Sequence, residues 1–286
     1  MPQTALEDIL RTKFESLGGY IHLDCQYLGC SQSGNSVNVT VQHRGERVTI
    51  AATYLVGADG HHSTVRTSLS IPFDGDVYPY SFIVAEVTVV EWPFGLNAAQ
   101  IYTSLDGLLI CMPEPGKHRF RLIANVRDAP QLPSLELWRC IIARRAPGHA
   151  CFEIANMHCS NRFRIHHRIA RRYRAGRIFL AGDAAHVQSP ATGQGMNLGI
   201  QDATILARII GDAIYHGRNS EHDLDEYQRI CQPRAQKVFG LTHRITLGMT
   251  LTNPVLCWVR NMVMMATNSL PMVRRKITRV ISQLDL

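Results

Sequence analysis

Two segments of this 286-residue chain bring together residue types that can hold hydroxyl and phosphate groups. The first is Tyr54-Leu-Val-Gly-Ala-Asp-Gly-His-His-Ser-Thr-Val-Arg66. The second is Arg177-Ile-Phe-Leu-Ala-Gly-Asp-Ala-Ala-His-Val-Gln-Ser-Pro-Ala-Thr-Gly-Gln-Gly-Met-Asn197. Each reads as a buried strand that ends in an acidic turn flanked by glycine. In the second, Ile178 to Ala181 is apolar throughout, as in a strand covered on both faces. It delivers Asp183, behind Gly182, to the carboxyl edge of the sheet, where open α/β sheets bind ligands. A carboxylate there can accept hydrogen bonds from sugar-alcohol hydroxyls. Pro190 to Gly195 follow as a loop of small residues, and Gly193 and Gly195 let a ligand approach the backbone. The N–H groups of Gly195, Met196 and Asn197 sit at the positive end of the next helix. Such an end stabilises an anion by about 0.3–1 kcal/mol, and by roughly 2 when partly buried.

In the first turn, Gly60 allows close backbone approach behind Asp59, Ser63 can cap a helix, and Arg66 lies one turn further on. From there Arg66 can reach a phosphate or brace Asp59. Taken singly, an Asp-Gly before a helix is usually a turn, and a Gly-x-Gly is usually a helix start. The run from Gly182 to Asn197 is far more specific than either.

The elements that must carry these turns alternate in type. Thr4 to Leu17 has Leu6, Ile9, Leu10, Phe14 and Leu17 at helical spacing, with Thr4 and Glu7 matching a capping box and Gly18-Gly19 as the stop. Val37, Val39 and Val41 alternate with polar residues, Arg44-Gly45 makes a turn, and Val48 and Ile50 continue the strand pattern. Leu55-Val56 reads as a short buried strand, Ser63 to Leu69 as a helix, and Ile71 to Gly75 as a boundary. Phe82 to Val90, Gln100 to Tyr102, Leu108 to Met112 and Phe120 to Val126 are strand-like, with a turn at Pro113 to Gly116. Pro133 to Ala146 is helical, Phe152 to Phe163 extended, and Asn197 to Ile214 and Leu224 to Phe239 helical. The pattern is α/β. A parallel-sheet nucleotide-binding portion spans residues 1–74 and 161–245, an antiparallel or mixed sheet residues 75–160, and a helical tail residues 246–286.

Composition narrows the classes. Hydrophobic content of 45% fits a globular chain, and the net charge of +7 is mild. Arg144-Arg145, Arg171-Arg172 and Arg274-Arg275-Lys276 are short, scattered and free of interleaved aromatics, so they read as solvated faces rather than a nucleic-acid stripe. Eight cysteines without a Cys-x-x-Cys pair read as reduced thiols of a cytoplasmic protein. The uncharged run Ile245 to Val259 is broken by Pro254, short of the roughly 20 apolar residues of a spanning helix. His61-His62 and His166-His167 are expected to point apart within each pair, without ligand spacing for a metal. Tyr78, Tyr80, Phe82 and Tyr102 could line a small-molecule pocket, with core packing the commoner role for each. No Gly-x-Ser-x-Gly supports a hydrolase.

Together the two turns resemble those of the aromatic-hydroxylase group of flavoprotein monooxygenases, the para-hydroxybenzoate and phenol hydroxylase type. Asp59-Gly60…Ser63…Arg66 resembles the DG motif, which implies contacts to the FAD pyrophosphate and to passing NADPH or NADH. Gly182-Asp183-Ala-Ala-His186…Pro190…Gly193-Gln-Gly-Met-Asn197…Asp202-Ala203 resembles the GD motif. This implies that Asp183 holds the FAD ribityl chain. It also sets the backbone of Gly195, Met196 and Asn197 against the isoalloxazine, whose reduced form is anionic. Pro2-Gln3…Glu7…Leu10 resembles the entry to a family helix, which implies Gln3 near the flavin. His186 would order its loop. The implied activity inserts one oxygen atom into a small aromatic or polyketide-like substrate.

The family's Gly-x-Gly-x-x-Gly strand-turn-helix does not occur in this sequence. Its two or three charge-assisted hydrogen bonds are worth roughly 3–9 kcal/mol, which is about a hundredfold to a millionfold in FAD affinity. The family's first strand would pair beside Leu55-Val56, so that edge is expected to be open. Three expectations follow: a portion of a longer hydroxylase, a chain that receives the missing portion or the flavin from another polypeptide (a homodimer or a complementing chain), or a flavin-free isomerase or cyclase on the same fold, with an inactive fragment or partner of a full-length hydroxylase as a further alternative.

Overall fold

A computed structural model describes residues 3–96, 98–189, 195–273, 275 and 279, the side chains of Gln3 and Asn268 excepted. The chain opens with helix Gln3–Ser16 (α1). Gly18, at φ +85°, ends it. The N–H groups of Gly18 and Gly19 return to the carbonyls of Glu15 and Phe14, both at 3.0 Å, which is the Schellman pattern that a left-handed glycine permits. Because α1 begins at Gln3, Thr4 lies inside its first turn and is not the cap that its spacing to Glu7 suggested. The apolar stripe Ile9, Leu10, Phe14 and Leu17 is exposed.

An antiparallel meander follows: Cys25–Ser33 (β1), Ser36–His43 (β2) and Glu46–Ala52 (β3). Arg44 and Gly45 both have positive φ, 49° and 89°, the backbone of a tight hairpin turn whose twist matches the strands. Val37, Val39 and Val41 point into the core, whereas Val48 and Ile50, paired to Val41 and Val39 on the rim strand, are exposed.

Leu55–Gly57 (β4) leads into Thr64–Ser68 (α2). The long strand Phe73–Val89 (β5) begins where a boundary at Ile71 to Gly75 was expected. Gly75 makes this possible: at φ +126°, a Cβ there would meet the His167 carbonyl oxygen at 2.0 Å. Gln100–Ser104 (β6), Gly107–Pro113 (β7) and Arg119–Val126 (β8) follow as hairpins. Helix Leu135–Arg145 (α3), capped by Ser134, precedes the second long strand, Ile154–Ala170 (β9). Arg174–Ala175 (β10), Ile178–Leu180 (β11) and His186–Val187 (β12) are short. Gly195–Tyr215 (α4), Glu221–Met249 (α5) and Pro254–Ser269 (α6) complete the described chain. Among the described residues, no helix is long and apolar enough to cross a membrane.

The largest sheet has the order β12-β9-β5-β8-β7-β6. Strand alternation sorts its side chains onto two faces. Ile83, Ala85, Val87, Leu109, Cys111 and Leu122 pack on one face under Trp138 of α3, whose indole N–H donates to Ser160 at 2.9 Å. Tyr78, Phe82, Leu108, Ile110 and Ile165 form the other face. A separate core surrounds β11: Ile178, Phe179 and Leu180 are fully buried beneath Leu198, Leu206 and Tyr227 of α4 and α5. Tyr227 also donates to the Leu180 carbonyl at 2.9 Å. The third sheet is β10-β11-β4. The outer edge of β4 pairs with no strand among the described residues, and Val56 is 40% exposed, so this strand is less buried than its sequence suggests.

His167, on the aromatic face of β9, stacks on Phe239 at 3.3 Å and on His243 at 4.7 Å. Burial, then His243, push its pKa down from 6.5 to about 4. A ring held neutral in the fold contributes its full stability above the unfolded pKa and loses it as pH falls toward the folded one. Acidification from about pH 6.5 to 4 should therefore cost roughly 3 kcal/mol through this residue alone. Urea titrations across that range should give a shallower pH slope in His167→Phe than in the parent. An unchanged slope would show that the stack does not hold the ring neutral.

Candidate functional site

The two acidic turns meet because β4 and β11 run parallel, with Leu55 beside Ile178, Val56 beside Phe179 and Gly57 beside Leu180. Both chains leave the sheet at its carboxyl edge, and the Ala181 N–H extends the ladder to the Gly57 carbonyl at 3.0 Å. Gly57 is required by packing: a Cβ there would lie 2.8 Å from Val65 and 3.2 Å from Leu180. Its absence lets α2 sit directly against β4.

In the first turn, Gly60 adopts φ +79° and its carbonyl accepts from the Ser63 N–H at 2.9 Å. Ser63 caps α2 by accepting from the Arg66 N–H at 2.9 Å. Asp59 joins it: one carboxylate oxygen accepts from the N–H groups of Thr64 and Val65 at 2.7 and 3.1 Å. The Arg66 side chain does not bond Asp59. Its buried guanidinium donates to the carbonyls of Ala184 and His61, both at 2.8 Å, and lies 3.8 Å above the Phe73 ring. Burial pushes its pKa down, and the nearby Asp59 charge opposes that.

In the second turn, Gly182 adopts φ +59° and starts the tight turn Gly182–Ala184. Gly199 of α4 packs on it, with room for a Cβ only at van der Waals distance, 3.5 Å from the Gly182 Cα. His186 bonds through Nε2 to Asp202 of α4 at 2.6 Å, and both side chains are buried. The pair pins the strand after the turn to the helix, the ordering role expected for His186. Asp183 points outward, exposed, and among the described residues its carboxylate has no hydrogen-bond partner. Gly195, Met196 and Asn197 begin α4, where the first backbone N–H groups have no partner inside the helix. A Cβ at Gly195 would meet open space. Gly193 and Pro190 lie outside the described residues, as does the Gln3 side chain.

The aromatic candidates divide. Tyr78, Tyr80 and Phe82 share the sheet face away from α3, while Tyr102 packs with the opposite cluster. Burial pushes the Tyr78 phenol up to about 12, and its oxygen bonds His243 Nδ1 at 2.7 Å. Tyr80 bonds Thr250 at 2.6 Å, and Thr246 donates to buried Ser189 at 2.6 Å. His243 and Thr246 lie on one face of α5, with Thr250 as its C-cap, and were not foreseen. Their i, i+3, i+7 spacing was the available signal, but the sequence suggested one helix at Leu224 to Phe239 and a separate helical tail, not the continuous helix Glu221–Met249. The histidine expectation needs correction. The His61 and His62 rings do not point apart but lie 3.9 Å from each other, and His166 joins them 4.7 Å from His61. His166 and His167 do diverge, as strand neighbours must. Among the described residues no three His, Cys, Asp or Glu side chains are arranged to hold a metal ion.

An outward carboxylate without a described partner, a helix start of small residues and a second glycine turn on the same edge fit a ligand with hydroxyls near Asp183 and negative charge near α4. A flavin dinucleotide has both. Arg66 is the mechanical link between the turns. Two charge-assisted hydrogen bonds, at about 1.5–3 kcal/mol each, give an expected loss of about 3–6 kcal/mol of fold stability in Arg66→Met. A denaturant midpoint equal to the parent's would rule out that link.

A family model described as an FAD binding domain matches residues 1–242. A flavin-dependent monooxygenase of Mycobacteroides abscessus is 31% identical over 85% of this chain and 51% of its own length. The 6-methylpretetramide 4-monooxygenase of Streptomyces rimosus is 32% identical over 89% of this chain and 45% of its own length. The chain thus spans about half the length of the curated relatives it matches. Among solved structures, anhydrotetracycline hydroxylase from Streptomyces rimosus superposes with a TM-score of 0.80 at 29% identity, covering 100% of this chain and 57% of that one. A Diels-Alderase of pyrroindomycin biosynthesis superposes at 0.81 with 27% identity, covering 98% of this chain and 60% of that one. The chain belongs to the FAD binding domain family.

Proposed function

We propose that the chain acts as an FAD- and NAD(P)H-dependent monooxygenase. It would insert one oxygen atom into a small aromatic or polyketide-like substrate, in secondary metabolism or aromatic degradation. One observation carries this reading: Asp183, whose carboxylate has no hydrogen-bond partner among the described residues, and the start of α4 share a sheet edge with the Asp59-Gly60 turn. The names of the relatives point the same way. When bound, the flavin supplies the oxygen-activating chemistry, and the protein supplies position and field.

In this reading Asp183 accepts hydrogen bonds from the ribityl hydroxyls beside Gly182. The N–H groups of Gly195, Met196 and Asn197 stabilise negative charge at the ring. The free oxygen of Asp59 and the backbone of Gly60 face the dinucleotides, and Gly193 and Gln3 lie near the flavin. Arg66 is a positioning residue, because it acts through the Ala184 carbonyl that follows Asp183. Residues 1–74 and 161–245 form the nucleotide-binding portion, 75–160 the substrate portion and 246–286 a helical tail. The free thiols support a cytoplasmic protein. The open β4 edge and the exposed α1 stripe support a homodimer or a complementing chain.

A neighbour named a Diels-Alderase keeps a second reading in view for this chain: an isomerase or cyclase, taken here as working without flavin. FAD titration of the purified chain, followed by visible absorbance and NADPH oxidation, separates the two. One-to-one FAD binding is expected, and Asp183→Ala should weaken it about 10- to 100-fold, the equivalent of one charge-assisted hydrogen bond. Substrate conversion with no flavin uptake would favour the cyclase. Equal FAD affinity in the variant would remove Asp183 from the site.

A further inference from the structure

Helix α6 is apolar and yet stands largely in solvent. Arg260 is its one charged residue. Its inward line is thin: Cys257 is buried, and Arg260 and Thr267 are half-buried. That line is tied to the end of α5. The Cys257 thiol donates to the Leu251 carbonyl at 3.1 Å, and the Arg260 guanidinium donates to the Gly248 carbonyl at 3.3 Å. On the opposite side, at the three- and four-residue spacing of one helix face, lie Val255, Trp258, Met262 and Met265, with Val259 beside them. Trp258 is 64% exposed and Met265 67%. A helix without a polar face is ordinarily covered, and a contiguous apolar patch on a surface marks an interaction site.

The charge around this helix has one sign. The sequence has no Asp or Glu between Glu226 and Asp285, a stretch that contains all of α6 and most of α5. Arg244 is exposed on α5, one turn before Gly248 and therefore on the side where α6 docks. Arg275 is exposed beyond the end of α6. Among the described residues neither has a carboxylate partner. A second copy would bring the same basic surface and a net charge of +7, so pairing α6 on α6 sets like charges together. The complementary surface is apolar and anionic at once, which is the interface of a bilayer with acidic headgroups. At 16 residues α6 is about 24 Å long, too short to span a hydrocarbon core of about 30 Å and suited to lying along it.

We infer that α6 is a membrane-surface anchor: Val255, Trp258, Met262 and Met265 enter the headgroup–acyl boundary of an anionic bilayer, while Arg244 and Arg275 face its phosphates. An indole at that depth keeps its ring in the apolar layer and its N–H toward water. The long, unbranched methionines adapt to disordered acyl chains. The inference is independent of the proposed function, because neither flavin nor substrate takes part in it.

The test mixes the full chain with vesicles of phosphatidylserine and phosphatidylcholine in equal parts, and with vesicles of phosphatidylcholine alone. Co-sedimentation and tryptophan emission are the readouts. Trp92 and Trp138 are buried, so a blue shift, and quenching by brominated acyl chains, report Trp258. Partitioning should be about tenfold or more tighter on the anionic vesicles, as two cations near the surface require, and should weaken as salt is added. Met262→Glu, at an exposed position, should abolish the shift with far-UV circular dichroism unchanged. Arg275→Glu should weaken sedimentation about tenfold. Absence of vesicle binding, equal binding to the two vesicles, sedimentation without a change at Trp258, or a folded Met262→Glu that keeps the shift would overturn the inference. A Trp258 shift that grows with protein concentration in the absence of lipid would assign the face to a second copy and overturn it as well. FAD titration of the same samples is read separately, so failure of the monooxygenase reading leaves the lipid result standing.

Discussion

A single buried guanidinium ties the two acidic turns together. The parallel ladder between β4 and β11 is only three residues long, and β4 has no other strand partner among the described residues. Backbone pairing this short cannot by itself fix the relative position of two turns. Arg66 supplies the missing constraint. It springs from α2, itself capped by Ser63 and Asp59, and reaches the Ala184 carbonyl just past Asp183. Stacking over Phe73 fixes the guanidinium plane. A lysine could not bridge both carbonyls with the same planar fork. The separation of Asp59 from Asp183 therefore depends on one side chain that touches neither carboxylate.

The second constraint is the His186–Asp202 pair. A buried carboxylate needs a partner, and removing either member of such a pair is strongly destabilising. This pair connects the end of the second turn to the second turn of α4, so the helix start cannot drift from Asp183 without breaking it. Gly199 of α4 lies against Gly182 in the same alignment, at ordinary van der Waals distance. Small residues thus do double service here: they open the edge to a ligand and let the elements that form it approach.

Much of this was legible in the sequence because the controlling effects are local. Apolar Ile178 to Leu180 had to be a covered strand. The Val37, Val39, Val41 alternation had to face a core, and Ser63 before Thr64-Val65-Arg66 had to cap a helix. The failures share a different cause. Val48, Ile50 and Val56 have the pattern of buried strand residues and are exposed, because periodicity states which side of an element is apolar and not whether anything covers it. The α1 stripe illustrates the same limit. The partners of Arg66 and the stacking of His61 on His62 are tertiary facts: a backbone carbonyl has no sequence signature, and a turn can fold adjacent side chains together where a strand would separate them. Gln3, Gly193 and Pro190 belong to neither group, since the structure does not describe the atoms on which those expectations rest.

Charge placement on the sheet edge follows from these constraints. Asp183 is held outward by a turn whose own hydrogen bonds are already made: Ala185 N–H to Gly182, and Ala184 carbonyl to Arg66. Among the described residues the Asp183 carboxylate makes no hydrogen bond, in contrast to Asp59, which gives one oxygen to two N–H donors of α2. Two acidic residues that look equivalent in sequence therefore have different capacities to bind. Asp183 can accept from a polyol, while Asp59 chiefly organises its own turn. The difference arises from which backbone groups each carboxylate has already satisfied.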